Sequence, residues 1–427
     1  MKAFYLKPEL FSALKTLKKE QFVKDIISGI IVAIIAFPLS IAMALASGVE
    51  PVAGVYTALA AGFVVPLFGG SAIQITGPTA ALSLVVAGIV AAKGMEGLIL
   101  STVMAGVLLV LMGICKMGGL IRFVPATIAR GFTTGIGVNI FLGQIKDFFG
   151  LQYAEGVKPV ETVDKILVNV TSFSTFTWQA LLIGIISLAI LVIYPKLEKK
   201  VPPSLVAVLI GSLMVKFIPG LGEGVFTIGE LYEIPSGLPP FTFAGLDFSA
   251  ENLLSMIPDA FTIAVLAAIV SLLSCVVSDT MVHARHNPNA ELVGQGVGNI
   301  VSVMLGGIPS TGAIARTTAN AKNGGRTPLA AMVHAVVLLL ILLILMPLAK
   351  LIPMPTIAAI LIMASYNMSE IKKFSTMVKT MPIFDVLVLL ITFVLTIFSP
   401  LIVAIGVGLA LHYLFRLIEK MRKKKKA

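Results

Sequence analysis

Charge is scarce in this chain. Only 12% of its 427 residues are charged, where a soluble domain carries ~25%, so there is too little polar surface to coat a soluble globule. Cysteine is almost missing as well. Cys115 and Cys275 are the only two, and without Cys-x-x-Cys spacing they exclude a disulfide framework and a thiolate metal site. Both lie in apolar stretches and are expected to be buried packing residues. The four histidines, His283, His286, His334 and His412, are not grouped with a nucleophile or with metal partners, as an enzyme site requires. His283 and His286 are three apart but lack the glutamate of a zinc-protease motif and a third ligand; a solvated loop is the simpler reading. His334 and His412 fall in spans without an evident acidic partner. No metal or cofactor is expected.

What the sequence has in plenty is apolar residues, at 57% and a mean hydropathy of +1.01. Runs of ~20 such residues, the length that crosses a bilayer, can be laid down about fourteen times, from 25–46 to 401–418. The fold class expected is an all-α multi-span membrane protein. The stretch Phe4 to Lys19 is polar and amphipathic with no small-residue cleavage site, so the first span is expected to be retained.

The net charge of +11 raises nucleic acid as a partner, and its distribution argues against that. With the N-terminus cytoplasmic, the inner loops carry Lys116, Arg122, Lys196, Lys199, Lys200, Arg285, Lys322, Arg326, Lys372 and Lys373. The outer stretch Pro219 to Leu254 holds Glu223, Glu230, Glu233, Asp247 and Glu251 with no Lys or Arg. This is the positive-inside pattern. An even number of spans returns the basic run Arg422 to Lys426 to the cytoplasm, where it serves as a topology anchor or touches anionic lipid. Five regions follow: a cytoplasmic N-terminal segment (1–24), a first set of spans (25–219), an extracytoplasmic loop (220–255), a second set (256–418) and a basic cytoplasmic tail (419–427).

Two sets of about seven spans, an odd number each, make inverted repeats, as in many secondary transporters. The sequence echoes this in Pro38-Leu39-Ser40 against Leu272-Leu273-Ser274, and in Gly69-Gly70 against Gly306-Gly307. The third segment reads SAIQITGPTAALSL (71–84): an extended piece from Ile73 to Thr76, a cap at Thr76 or Gly77, and Pro78 in the first helical turn. The tenth repeats the plan with Ile308-Pro309, caps at Ser310 or Thr311, and a helix carrying Arg316. Both are expected to be half-helices that begin inside the bilayer. Such helices expose free N–H groups and a positive dipole end, tolerated only in a protein-lined cavity. Facing one another, they form an anion cradle. Arg316 is placed one to two turns into the second half-helix. An arginine there costs ~2.5–3.5 kcal/mol on insertion scales, and a bound anion offsets part of that; the alternative is that Arg316 snorkels to the cytoplasmic surface or caps carbonyls.

Three stretches carry a resemblance: FPLSIAMALASGVEPVAGVYTALAAGFVVPLFGGSAIQITGPTAALS (37–83), SLLSCVVSDTMVHARHNPNAELVGQGVGNI (271–300) and GFTTGIGVNIFLGQIKDFFG (131–150). In order and spacing they resemble the SulP family of sulfate-permease-like anion transporters, the bacterial relatives of the animal solute carrier 26 group. The likeness spans about residues 22–420. It implies fourteen segments in two inverted repeats of seven, a core and a gate domain, elevator-type movement and a homodimer. It also implies sulfate as the default cargo, with bicarbonate, chloride or a dicarboxylate fitting the same cradle. Carried over by motif, the lining is Leu39 and Met43 from segment one, Thr79 and Ala80 from three, Ser274 from eight, and Thr311, Gly312, Ala313 and Arg316 from ten. Many bacterial members have a carboxylate just before the Ser-Leu-Leu of segment eight, resembling a sodium or proton coupling site. Here that position is Val270, which removes this route of coupling and favours exchange, uniport or leaky conductance. Members also commonly carry a cytoplasmic STAS domain after the last span, which this sequence, ending at Ala427, does not reach.

Other features have quieter readings. Gly294, Gly296 and Gly298 have neither the preceding strand nor the later acid of a dinucleotide loop and are expected to allow close helix packing. Asn139, Gln144 and Asn299 are expected to hydrogen-bond between helices. Asp25 and Asp279 are expected to pair with cytoplasmic Lys or Arg. Asn169-Val170-Thr171 matches a glycosylation sequon of the kind that arises by chance. A nucleobase–cation symporter of similar fold would need carboxylates in segments eight and ten, and Val270 argues against one. A channel-like conductor differs only kinetically.

Overall fold

A chain that must satisfy its backbone within lipid has few options besides helix, and the computed structural model is helical nearly throughout. It describes residues 6–119, 125–157, 159, 161–198, 201–233, 237, 241–242 and 246–426, with the backbone alone at 419, 420 and 422–426. Phe4, Arg122, Lys199 and Lys200, with the side chains of the basic run 422–426, lie outside the described residues.

The first half begins with a short helix, α1 (Glu9–Thr16), before α2 (Lys19–Ala46) and α3 (Pro51–Phe68). After a two-residue strand, β1 (Thr76–Gly77), comes α4 (Ala80–Ile114). Gly94 breaks α4 with φ of 67° and ψ of −171°, a backbone conformation that only glycine adopts at no cost. This divides α4 into segments three and four. The half is completed by α5 (Ala126–Phe149), the short α6 (Thr162–Thr171), α7 (Trp178–Leu197) and α8 (Pro203–Phe217).

A single helical turn, α9 (Ile228–Leu231), leads to the second half: α10 (Ala250–Val282), α11 (Pro288–Met304), a second two-residue strand β2 (Thr311–Gly312), and the half-helix α12 (Ile314–Lys322). Then follow α13 (Leu329–Ala349), α14 (Met354–Ser369), the amphipathic α15 (Ile371–Thr380), α16 (Ile383–Phe398) and α17 (Leu401–Lys426). Among the described residues seven helices are long and apolar enough to cross a membrane, α4 among them, and α8 and α16 are shorter apolar helices.

The helices pack as two bundles. α2, α3, α4, α10, α11, α12 and α13 contact one another closely; α5, α7, α8, α14, α16 and α17 form the second group, joined to the first mainly through α2 and α4. Small residues bring the helices together where sequence analysis expected them to. A Cβ on Gly294 would lie 2.7 Å from the Gly69 Cα, and one on Gly298 2.5 Å from Val65 Cγ2, so α11 presses against α3 and the link that follows it. On the other face of α11 a Cβ on Gly296 would lie 2.5 Å from the Gly106 carbonyl of α4.

Polar side chains in the spans follow the same logic, with four differences. Asn139 bridges α5 to α16 by donating to the Thr396 carbonyl at 3.0 Å, whereas Gln144 turns back onto its own helix at Ile140. Asp25 accepts from the backbone N–H of Arg326 and the Thr327 hydroxyl (2.8 and 2.7 Å), not from a cationic side chain. Asp279 meets His286 Nδ1 at 2.7 Å, and Asp385 stands 3.8 Å from His412, so both pairings involve histidine. Cys275 is buried, but Cys115, at the end of α4, is exposed. No metal-holding cluster of His, Cys, Asp or Glu occurs among the described residues.

Candidate functional site

The two half-helices meet through their strands. β1 and β2 run antiparallel, Thr76 opposite Gly312 and Gly77 opposite Thr311. The Ala313 N–H extends the ladder to the Ile75 carbonyl at 2.9 Å. Beyond the strands the Thr79 and Thr311 hydroxyls touch at 2.7 Å. The helices also start later than expected, because Thr76, Gly77 and Thr311 belong to the paired strands. Neither threonine hydroxyl accepts from a first-turn N–H group. α4 begins at Ala80 and α12 at Ile314, each with no side-chain cap on its first turn. Two sets of unclaimed N–H donors therefore flank one hydroxyl pair.

The surrounding side chains come from the expected elements. α10 supplies Ser271, whose hydroxyl accepts from the Gly312 N–H at 3.0 Å, and Ser274, buried with no hydrogen-bond partner for its hydroxyl. Met43 of α2 is buried, its sulfur 4.0 Å from the Ser83 hydroxyl. Leu39, Ala80 and Val270 are half-buried and pack on the same apolar cluster as Met43. Position 270 is thus an apolar wall.

Arg316 lies in the first turn of α12, closer to the strand crossing than sequence analysis placed it. It does not snorkel. The side chain is 1% exposed, and its Nη2 donates to the carbonyl of Pro78, between β1 and α4. Nε and Nη1 have no hydrogen-bond partner. A Cβ on Gly77 would lie 2.5 Å from Nη1 and 3.3 Å from the Ala58 Cα, so glycine at 77 is what lets the guanidinium fit against the strand. The guanidinium thus lies against the Pro78 carbonyl and Gly77, on the side of the strand that faces Ala58 of α3. His334 of α13 is fully buried with neither ring nitrogen bonded.

A family model described as the sulfate permease family matches residues 22–392. The chain belongs to this family. Over 93% of its length it is 42% identical to YvdB of Bacillus subtilis (strain 168), provisionally named a sulfate transporter, of which 74% is covered. The bicarbonate transporter BicA of a Picosynechococcus species is 32% identical over 90% of this chain and 68% of its own. The solved transmembrane domain of a cyanobacterium BicA superposes with a TM-score of 0.77 at 28% identity, covering 92% of this chain and 98% of that chain. Murine Solute Carrier 26 family member A9, in its inward-facing state, gives 0.86 at 18% identity over 98% and 72%, a likeness of fold alone. Like these neighbours, this chain is built from two inverted repeats of seven helices. It is a multi-pass membrane transporter for anions and not an enzyme.

Several residues that hold the site do not stand out in the sequence. Ser271 is one; Thr317, accepting from the Ile75 N–H at 3.0 Å, is another. Gln74, Glu291 and Gln295 form a buried hydrogen-bonded group beside β1. Their signal was available in the four-residue spacing of Glu291, Gln295 and Asn299, interleaved with the glycines of α11.

Proposed function

We propose that this protein carries sulfate, by elevator-type alternating access, in a cell (inner or plasma) membrane with both termini cytoplasmic. The observation that carries the reading is the meeting of two uncapped helix N-termini at the β1–β2 crossing. Free N–H groups and aligned dipoles favour an anion there without any cationic side chain touching it. Arg316 adds a full positive charge from beside the strand, in surroundings where screening is weak. Ala80 supplies a backbone donor and Thr79 and Thr311 a hydroxyl pair; Gly312 and Ala313, whose N–H groups are held by Ser271 and Ile75, shape the floor beneath them, Ser274 adds a further hydroxyl, and Leu39 and Met43 an apolar wall suited to a partly dehydrated anion.

The cargo's charge and that of Arg316 offset one another, which eases movement of the loaded core, α2–α4 with α10–α13, past the gate. Val270 can neither bind a cation nor release a proton, so exchange or uniport is favoured over coupled uptake at that position. The repeats run over 25–219 and 256–418, joined by the 220–255 loop, and the working unit is a homodimer. A second reading, bicarbonate as cargo, draws on the likeness to BicA.

Uptake of radiolabelled sulfate into proteoliposomes tests the proposal, with bicarbonate, chloride, fumarate and uracil as competitors, with and without sodium and a pH gradient. Saturable uptake blocked by the anions and indifferent to sodium and pH is the expected result. Failure to take up sulfate while bicarbonate is transported moves the cargo to the second reading. Transport of uracil instead refutes the anion site.

A further inference from the structure

One face of α11 carries buried polar side chains that no step of the transport reading uses. Glu291, Gln295, Asn299 and Ser302 are spaced four, four and three apart, which stacks them along one side of a helix. None is more than 1% exposed.

The cytoplasmic end of this line grips the approach to β1. Glu291 Oε2 accepts from the backbone N–H groups of Gly70 and Ser71 at 3.0 and 3.1 Å. Its Oε1 accepts from the Gln74 amide at 2.6 Å and the Gln295 amide at 2.9 Å. Gln295 Nε2 reaches on to the hydroxyl of Thr76, the first residue of β1, at 3.1 Å. The Asn287 N–H donates to the Gly70 carbonyl at 2.9 Å, an approach so close that a Cβ on Gly70 would collide with the Asn287 carbonyl.

The other end grips the approach to β2. The Asn299 amide accepts from the Ser310 N–H at 2.7 Å and donates to the Ser310 carbonyl at 3.1 Å, as a neighbouring strand would. Ser302 donates to the Ile308 carbonyl at 2.8 Å. Both re-entrant strands hang from one rigid helix. The carboxylate of Glu291 has four N–H donors and forms no salt bridge among the described residues. Geometry holds it, through charge-assisted hydrogen bonds.

We infer that this line of side chains fixes the separation of the two helix N-termini, making Glu291 and Asn299 positioning residues that set which anion the cradle fits. The inference rests on the anion reading of the site. Binding constellations need positions held to ~0.5 Å. Tetrahedral sulfate and the smaller, planar bicarbonate ask for different gaps between the same N–H groups.

The test transposes the acid. Glu291→Gln leaves three amide donors facing one another. Gln74→Glu alone sets two carboxylates across a gap now spanned at 2.6 Å. The double variant restores one acid and one amide across that gap, with the Cys275 thiol donating to residue 74 as it now does at 3.1 Å. Calorimetry on the full purified chain reads the affinities for sulfate and bicarbonate, alongside the melting temperature without anion. Each single variant is expected to shift the sulfate-to-bicarbonate affinity ratio by about tenfold or more, and the double to return it to within about threefold of the parent. Singles that lower the melting temperature and leave the ratio unchanged would make the line a plain structural support and overturn the inference. Should Gln74→Glu not fold, Asn299→Asp takes its place: it keeps the bond to the Ser310 N–H and turns an acceptor on the Ser310 carbonyl, and an unmoved ratio there also overturns the inference. A parent chain that binds neither anion removes the anion reading and this inference with it; a parent that binds both, with unmoved ratios in the variants, removes the inference alone.

Discussion

Replacing Arg316 by methionine separates the two ways a buried arginine can matter. Methionine keeps much of the apolar volume and removes the charge. If an anion at the first turns of α4 and α12 is taken to stand ~7 Å from the guanidinium, with an effective dielectric constant of ~20, Coulomb's law gives roughly 2.4 kcal/mol per unit charge. That corresponds to about fiftyfold in affinity for a monovalent anion, and about twice the free energy, roughly 3,000-fold, for divalent sulfate. The expected outcome of Arg316→Met is therefore a fall in the sulfate-to-bicarbonate affinity ratio of about fiftyfold. Stability should move the other way. Nε and Nη1 are buried without partners, and replacing buried charges by apolar groups is often neutral or stabilising by ~1–4 kcal/mol, so the anion-free variant should melt at the same temperature or higher. Arg316→Lys, which keeps the charge, should retain most of both affinities. Titration calorimetry with the two anions and a thermal melt are sufficient. Equal loss for both anions, with a lower melting temperature, would refute the electrostatic role and leave Arg316 as packing.

Gly77→Ala should lower both stability and transport, because its Cβ would meet Arg316 Nη1 at 2.5 Å and Cζ at 3.2 Å; overpacking of this kind costs ~1–3 kcal/mol, and the loss should shrink in an Arg316→Met background, as thermal melts of the four chains would reveal. Val270→Asp should make uptake depend on sodium or on a pH gradient, measured with each gradient applied in turn; an active variant indifferent to both would show that position 270 has no part in coupling. An impermeant maleimide should label exposed Cys115 and spare buried Cys275, and only from the cytoplasmic face; labelling from outside would invert the topology.

Seven of the spans were legible because each is a long apolar run, and the half-helices because Pro78 and Pro309 interrupt apolar stretches at matching places. The helix starts were not, since Thr76 and Thr311 read as caps, and only the fold reveals that both lie in paired strands and that Thr311 bonds to Thr79 instead. Arg316 was legible as a charge inside a span; its direction was not, because the sequence holds no record that Gly77 leaves room behind the strand. Glu291 escaped for a related reason. At the first turn of a span it looks like an interfacial acid, and its four donors come from residues more than two hundred positions away as well as from its own helix. The histidine partners of Asp279 and Asp385 needed the fold for the same reason.

The strand pair also orders events at the ribosome. β1 is threaded into the membrane with the first half of the chain, while β2 follows about 235 residues later, some 10–50 s at synthesis rates of ~5–20 residues per second. Through that interval the backbone around Thr76 and Gly77 has no β2 to pair with, and neither α11 nor α12 exists to hold it. The nascent first half must shelter these groups in water, at the insertion machinery or against a helper protein until its counterpart arrives. The transport site is thus a late product of biogenesis, and a chain released early carries an open polar seam by which quality control can recognise it.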